Sequence, residues 1–108
     1  MKTVEQQGLQ SIQRSRYLLI QECIALSNHM RGILLEFGVT IPQGFASLLR
    51  KLPEVLEDGD NDLPDLYRPT LHRLYGRMLE LRIDIEAMTK EIDNLVKQHP
   101  VCSKLTAL

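Results

Sequence analysis

An acidic pentapeptide, three histidines and a set of arginines are the side chains of this 108-residue chain whose types and spacing suit chemistry. Asp58-Gly59-Asp60-Asn61-Asp62 places carboxylates at alternate positions, as calcium loops do at their start. An EF-hand loop counted from Asp58 needs Gly at its sixth position and a bidentate Glu at its twelfth. Leu63 and Pro69 stand there instead, so a polar loop is expected and no dedicated cation site. His29, His72 and His99 are spread over different elements with no Cys or carboxylate at ligand spacing, so each reads as a surface or cap residue. The sequence contains no Gly-rich phosphate loop, nucleophile elbow or Cys-x-x-Cys pair, and no cofactor is expected.

The arginines are the stronger signal. Arg68, Arg73 and Arg77, with His72, line the start of a helical stretch and could face phosphates. Solvated flanks of a coiled coil have the same composition, and Glu80, Asp84 and Glu91 follow closely. Arg14 and Arg31 lie in the more basic half: residues 1–51 carry six Lys/Arg against three Asp/Glu, and the remainder seven against eleven. Two antiparallel helices of opposite charge attracting each other account for this split; a local nucleic-acid contact is the other reading. Arg14, Arg31, Arg68, Arg73 and Arg77 are therefore the candidate contact residues. With a net charge of −1 and a pI near 6.3, no global field draws the chain to nucleic acid or anionic lipid.

Two strings of apolar residues at alternating steps of three and four position these side chains. Leu71, Leu74, Met78, Leu81, Ile85, Met88, Ile92 and Leu95 occupy every a and d position of more than three heptads, the signature of a helix–helix seam. Leu9, Ile12, Leu19, Cys23, Leu26, Met30, Ile33 and Phe37 repeat the spacing, interrupted at Arg16. Arg16 is either a register-setting polar residue or a functional contact. Leu18, Ile20, Ile24, Ala25, Leu34 and Leu35 widen the apolar arc of the first helix, which predicts more than one neighbour for it.

Element boundaries follow from local chemistry. Thr3-Val4-Glu5-Gln6 fits a capping box that opens a helix running to Phe37, with Gly38 placed to end it. Gly32, inside this helix, either admits another backbone or simply weakens the helix. Pro42 keeps Ile41 extended, and a short helix over about 45–56 presents Phe45, Leu48, Leu49 and Leu52. The second long helix is expected from about residue 64, or from Pro69 after a kink, to about residue 98, with His99-Pro100 as its stop. The fold class is all-α: an antiparallel hairpin of two long coiled-coil helices with a short helix between them, forming one helical region over residues 1–108. Two parallel rods bury a stripe rather than a globular interior, so a partner is expected to complete it.

Five aromatics (Tyr17, Phe37, Phe45, Tyr67 and Tyr75) suit such a Leu/Ile/Met core. Cys23 on the first seam reads as a small buried hydrophobe, and with Cys102 it makes no disulfide framework. The polar start lacks a signal-peptide core, and no apolar run approaches a membrane span. A cytoplasmic protein with no membrane contact is expected.

The wording of several segments goes beyond periodicity. Lys2-Thr3-Val4-Glu5-Gln6-Gln7, Asn28-His29-Met30-Arg31-Gly32-Ile33-Leu34-Leu35-Glu36-Phe37-Gly38, Ile41-Pro42-Gln43-Gly44 and the ending His99-Pro100-Val101-Cys102-Ser103-Lys104-Leu105 resemble, in order and spacing, the middle of a DEDD-type insertion-sequence transposase. This bacterial family is related to the Piv invertase, and the resemblance covers essentially the whole chain. It implies an N-terminal RuvC-like domain with four acidic metal ligands, a coiled-coil region, and a C-terminal domain with a Gly-x-Gly-Pro segment and a nucleophilic serine. Related elements are guided by structured RNA. The chain is similar to the coiled-coil region alone. No acidic residue matches the metal tetrad, and Ser11, Ser15, Ser27, Ser47 and Ser103 do not match the serine motif, so no catalytic role transfers.

The expected function is thus that of a non-catalytic linker and dimerisation region in DNA transposition and recombination. Its expected partners are a second copy or other transposase domains, with structured RNA or DNA in the full-length context. A free-standing helical partner or inhibitor of a transposase is the alternative. A more remote one is a small helical chorismate mutase, since Leu81-Arg82-Ile83-Asp84-Ile85 is similar to the Leu-Arg-x-x-Ile-Asp segment that opens the long first helix of such enzymes.

Overall fold

The computed structural model describes residues 3–98. Among these the chain forms three helices and no strand: α1 (Val4–Glu36), α2 (Phe45–Glu57) and α3 (Arg68–Gln98). The expected all-α class holds. The stop at His99-Pro100, Cys102 and the apolar tail lie outside the described residues. The helices contribute to two compact units, one drawn from the chain up to Gln21 and from Leu81 onward, the other spanning Glu22–Glu80.

Capping chemistry sets the ends. At the start of α1 the Gln6 backbone N–H donates to Thr3 Oγ1 (3.1 Å) while the Thr3 N–H donates to Gln6 Oε1 (2.9 Å), the reciprocal pair of a capping box. At its end Val39 N–H bonds Leu34 O (2.9 Å) and Gly38 N–H bonds Leu35 O (3.0 Å), a Schellman closure. That closure needs a left-handed residue at position 38, and Gly38 supplies it with φ 77°.

The Glu22–Glu80 unit is a three-helix core. Met30 and Leu34 of α1, Leu48, Leu52 and Val55 of α2, Leu63 of the following loop, and Leu71 and Met78 of α3 form one buried cluster. Each fully buried Leu or Met contributes about 1.5–3 kcal/mol relative to an exposed one. Within this unit α1 and α3 run antiparallel: Glu22 meets Arg77 at 2.8 Å, and Met30 and Leu34 share the cluster with Leu71. α2 continues through Pro53, because Val55 beyond it is buried on the same face as Leu48 and Leu52. α3 begins at Arg68, later than residue 64, since residues 65–67 form a turn. Pro69 then falls in the first helical turn, where its missing N–H costs nothing.

The buried line of α1 departs from the heptad near its end. Leu34, read as lying outside the seam, is fully buried, while Ile33 is half-buried. α2 is the cause, because it supplies a third neighbour on that side. Gly32 has open space around it, with nothing within 4 Å of an added Cβ, so no backbone approaches it here. Gly32→Ala is therefore expected to stabilise the chain by about 0.5–1 kcal/mol, read as a higher urea midpoint at unchanged slope.

In the other unit α1 and α3 form a two-helix pair. Its seam residues Ile12, Leu19, Ile85, Met88, Ile92 and Leu95 are half-buried, whereas Leu9 and Leu81 are buried. Arg16 sits in this seam and donates from Nε to Thr89 Oγ1 at 2.8 Å, and Thr89 in turn donates to Ile85 O. The polar seam position thus has a partner on the facing helix, as a register-setting residue requires.

Candidate nucleic-acid interface

The five candidate arginines divide by what already holds them. Arg68 opens α3, and its whole guanidinium is committed. Nη1 donates to Val55 O (3.0 Å) and Leu56 O (3.1 Å), and Nη2 donates to Asp58 O, Asn61 Oδ1 and Leu63 O. Nε bonds Asp65 Oδ1 at 3.1 Å. The fork satisfies carbonyls left open at the α2 C-terminus, where a cation also suits the helix dipole. Arg68 is a clasp on the loop that follows α2, with no donor left over for a phosphate.

Arg31 is engaged too. Its Nη2 donates to Pro42 O (2.9 Å) and Gly44 O (2.6 Å), which ties the connection between α1 and α2 to α1. Arg77 lies between Glu22 (2.8 Å) and Glu80 (3.3 Å). The Glu22 carboxylate, and then Glu80, raise the Arg77 guanidinium further above its ordinary range. Arg14 and Arg73 differ: both are exposed and have no hydrogen bond or ion pair among the described residues.

The strip Arg68, His72, Arg73, Arg77 is therefore one clasp, one arginine paired with two carboxylates, and two exposed side chains, rather than a row of equivalent phosphate contacts. The acidic loop closes on itself. The Asp60 N–H donates to Asp58 Oδ1, and Asn61 bridges Val55 O and the Leu63 N–H. No group of three or more His, Cys, Asp or Glu among the described residues is arranged to hold a metal ion. His29 and His72 are exposed, and His99 falls outside the described residues. Leu81–Ile85 lies in the interior of α3, away from the helix start that the corresponding mutase segment occupies, and Arg82 is paired with Glu86 at 3.1 Å.

Two buried groups are perturbed. Burial pushes the Cys23 thiol above its ordinary range, partly offset by a hydrogen bond with Ser27 and reinforced by Glu22. Burial also raises Tyr67, whose hydroxyl has no hydrogen-bond partner among the described residues. Because the folded chain holds the Cys23 proton to higher pH than the unfolded chain does, folding stability falls as pH rises through the ordinary thiol range. Cys23 is expected to react slowly with an aromatic disulfide reagent until the chain unfolds, and a native-state rate equal to that of free cysteine would contradict its burial.

Tyr17 is the residue that periodicity passed over. It is 64% exposed and shares a shallow recess with Gln10, Gln13 and Arg14. Its place one step beyond Arg16 in the heptad already pointed off the seam. Leu18, Ile24 and Leu35 of α1 are likewise exposed.

The transposase for insertion sequence element IS1328 of Yersinia enterocolitica is 31% identical over 110 residues, covering 99% of this chain and 31% of the relative. The chain is related in sequence to insertion-sequence transposases. The transposase for insertion sequence element IS1111A of Coxiella burnetii is 29% identical over 99% of the chain and 29% of its own length. A probable family 20 transposase of Pseudomonas aeruginosa is 29% identical over 100% of the chain and 32% of its own length. The chain spans less than a third of the length of these curated transposase relatives. No family model matches, and no solved structure matches. No helix among the described residues is long and apolar enough to cross a membrane.

Proposed function

We propose that this chain acts as a non-catalytic helical segment of an insertion-sequence transposase of the DEDD, Piv-related type. It spaces the catalytic domains, associates with a second copy through helix–helix contacts, and touches DNA or structured RNA through Arg14 and Arg73. The observation that carries the reading is the alignment of essentially the whole chain with less than a third of three transposases. The subtype rests on the order and spacing of the segments around Asn28–Gly38 and Ile41–Gly44. Association is supported by the exposure of Leu18, Ile24 and Leu35 on a helix whose other side is already packed. Arg14 and Arg73 are preferred over Arg31, Arg68 and Arg77 because only the latter three are bound elsewhere.

Sedimentation equilibrium, together with anisotropy titration of labelled DNA and of a structured RNA, tests both halves of this reading. A dimer whose nucleic-acid affinity falls on Arg14→Gln and Arg73→Gln substitution is the expected result. A strict monomer with no affinity for either polymer removes it. The exposed side chains of α1 also favour a second reading, a free-standing helical partner of a transposase. Capture of the intact enzyme by a separately expressed chain would distinguish it.

A further inference from the structure

Resting on the nucleic-acid reading above, we propose that the outward face of α1 before Gln21 is a subsite for single-stranded DNA, with an unpaired base stacked on Tyr17 and its phosphate held by Arg14. The face is defined by the seam. Arg16 points at Thr89 of α3, and at 3.6 residues per turn Arg14 lies about 160° and Tyr17 about 100° around the helix from it. Both side chains consequently project away from α3 and are exposed.

No Asp or Glu occurs between Glu5 and Glu22, so no carboxylate on this stretch of α1 repels a phosphate. Arg14 is common to two adjoining recesses, one shared with Gln7, Gln10 and Ser11, the other with Gln10, Gln13 and Tyr17. The hydroxyls of Ser11 and Ser15 donate back to Gln7 O and Ser11 O, which leaves the Arg14 guanidinium as the charged donor of this face. An uncapped aromatic ring one helical turn from an unpaired guanidinium, flanked by amides, matches the recurring single-strand device of a stacking platform beside a backbone cation. A duplex fits less well: its bases are already stacked, and its phosphates call for a longer row of cations than one arginine supplies. The polymer is DNA because the related proteins are transposases of insertion sequences.

The test uses the whole chain and a fluorescent oligothymidylate carrying 5-bromodeoxyuridine, with anisotropy for affinity and photo-cross-linking mapped by mass spectrometry. The cross-link is expected at Tyr17. Tyr17→Ala is expected to weaken binding about tenfold and Tyr17→Phe to retain it, because stacking needs the ring and not the hydroxyl. Arg14→Gln is expected to lower the slope of log affinity against log salt by about 0.7, the value of one single-strand phosphate contact. Tyr17 is exposed, so an unchanged circular dichroism spectrum is the check that the variants fold. DNA binding that cross-links elsewhere, or that Tyr17→Ala leaves unchanged, overturns the subsite while sparing the nucleic-acid reading. Binding of oligouridylate but not of oligothymidylate does the same. Failure to bind any nucleic acid overturns both.

Discussion

Leu34→Ala is expected to destabilise the chain by about 3 kcal/mol, within the range found for deleting a fully buried leucine. Leu34 has no exposed surface and packs among residues of α2 and α3 as well as against its own helix. Its carbonyl also receives the Phe37 and Val39 N–H groups, so the backbone there is fixed and the cavity cannot close by a local shift. The neighbouring Leu35 is 63% exposed, and Leu35→Ala is expected to move stability by less than about 0.5 kcal/mol. Urea unfolding of the pair isolates burial from helix propensity, since both changes are Leu to Ala one residue apart. Equal losses at the two positions would contradict the packing of α2 against α1.

Arg68→Ala is the second large effect, expected to cost about 2–4 kcal/mol. One guanidinium serves the open carbonyls of Val55, Leu56, Asp58 and Leu63 and the Asn61 side chain. Removing it takes this donor from the Leu56, Asp58 and Leu63 carbonyls, at a cost of about 1–3 kcal/mol for each group that water cannot reach, while Val55 O and Asn61 Oδ1 keep the Asn61 amide and the Leu63 N–H. The Asp65 ion pair adds little, because Asp65 is 99% exposed. Arg68→Lys is expected to restore less than half of the loss, because an ammonium cannot reproduce a planar fork reaching five acceptors. Hydrogen exchange should locate the damage at the end of α2, where the Asp58 N–H bonds Glu54 O. A loss spread evenly over all three helices would mean that Arg68 is not a local clasp.

The contrast between Arg68 and Arg73 also marks what the sequence can reveal. Both are arginines at the start of one helix, and periodicity gave them the same standing. Their difference arises from a loop that folds back on Arg68, a contact over five to thirteen positions that no heptad count contains. Arg31 was obscured for the same reason, since its partners are carbonyls of an irregular connection. By contrast, the capping box at Thr3, the stop at Gly38 and the alternating steps of α3 are local or periodic, and each is legible from residue types alone. The Leu34 register lay between these cases. Its apolar character was visible, but its burial depends on α2 arriving as a third neighbour. Arg16 was legible as an interruption, whereas its partner Thr89 could be found only once the two helices were paired.

Energetically the two units differ in kind. The Glu22–Glu80 unit closes a core among three helices, with eight buried side chains in one cluster. The unit containing Arg16 has a seam whose apolar side chains remain half-exposed, with Tyr17, Leu18 and Ile83 exposed beside it. A helix pair that buries only a stripe gains little from its own seam, so association with another surface adds most there.

Sequencing the DNA on both sides of this reading frame tests the central claim most directly. A transposase segment predicts codons for an acidic RuvC-like domain upstream and for a Gly-x-Gly-Pro segment with a serine domain downstream, in frame or interrupted by recent stops. Unrelated genes on both sides, with their own signals abutting this frame, would contradict it and make this chain a free-standing helical protein.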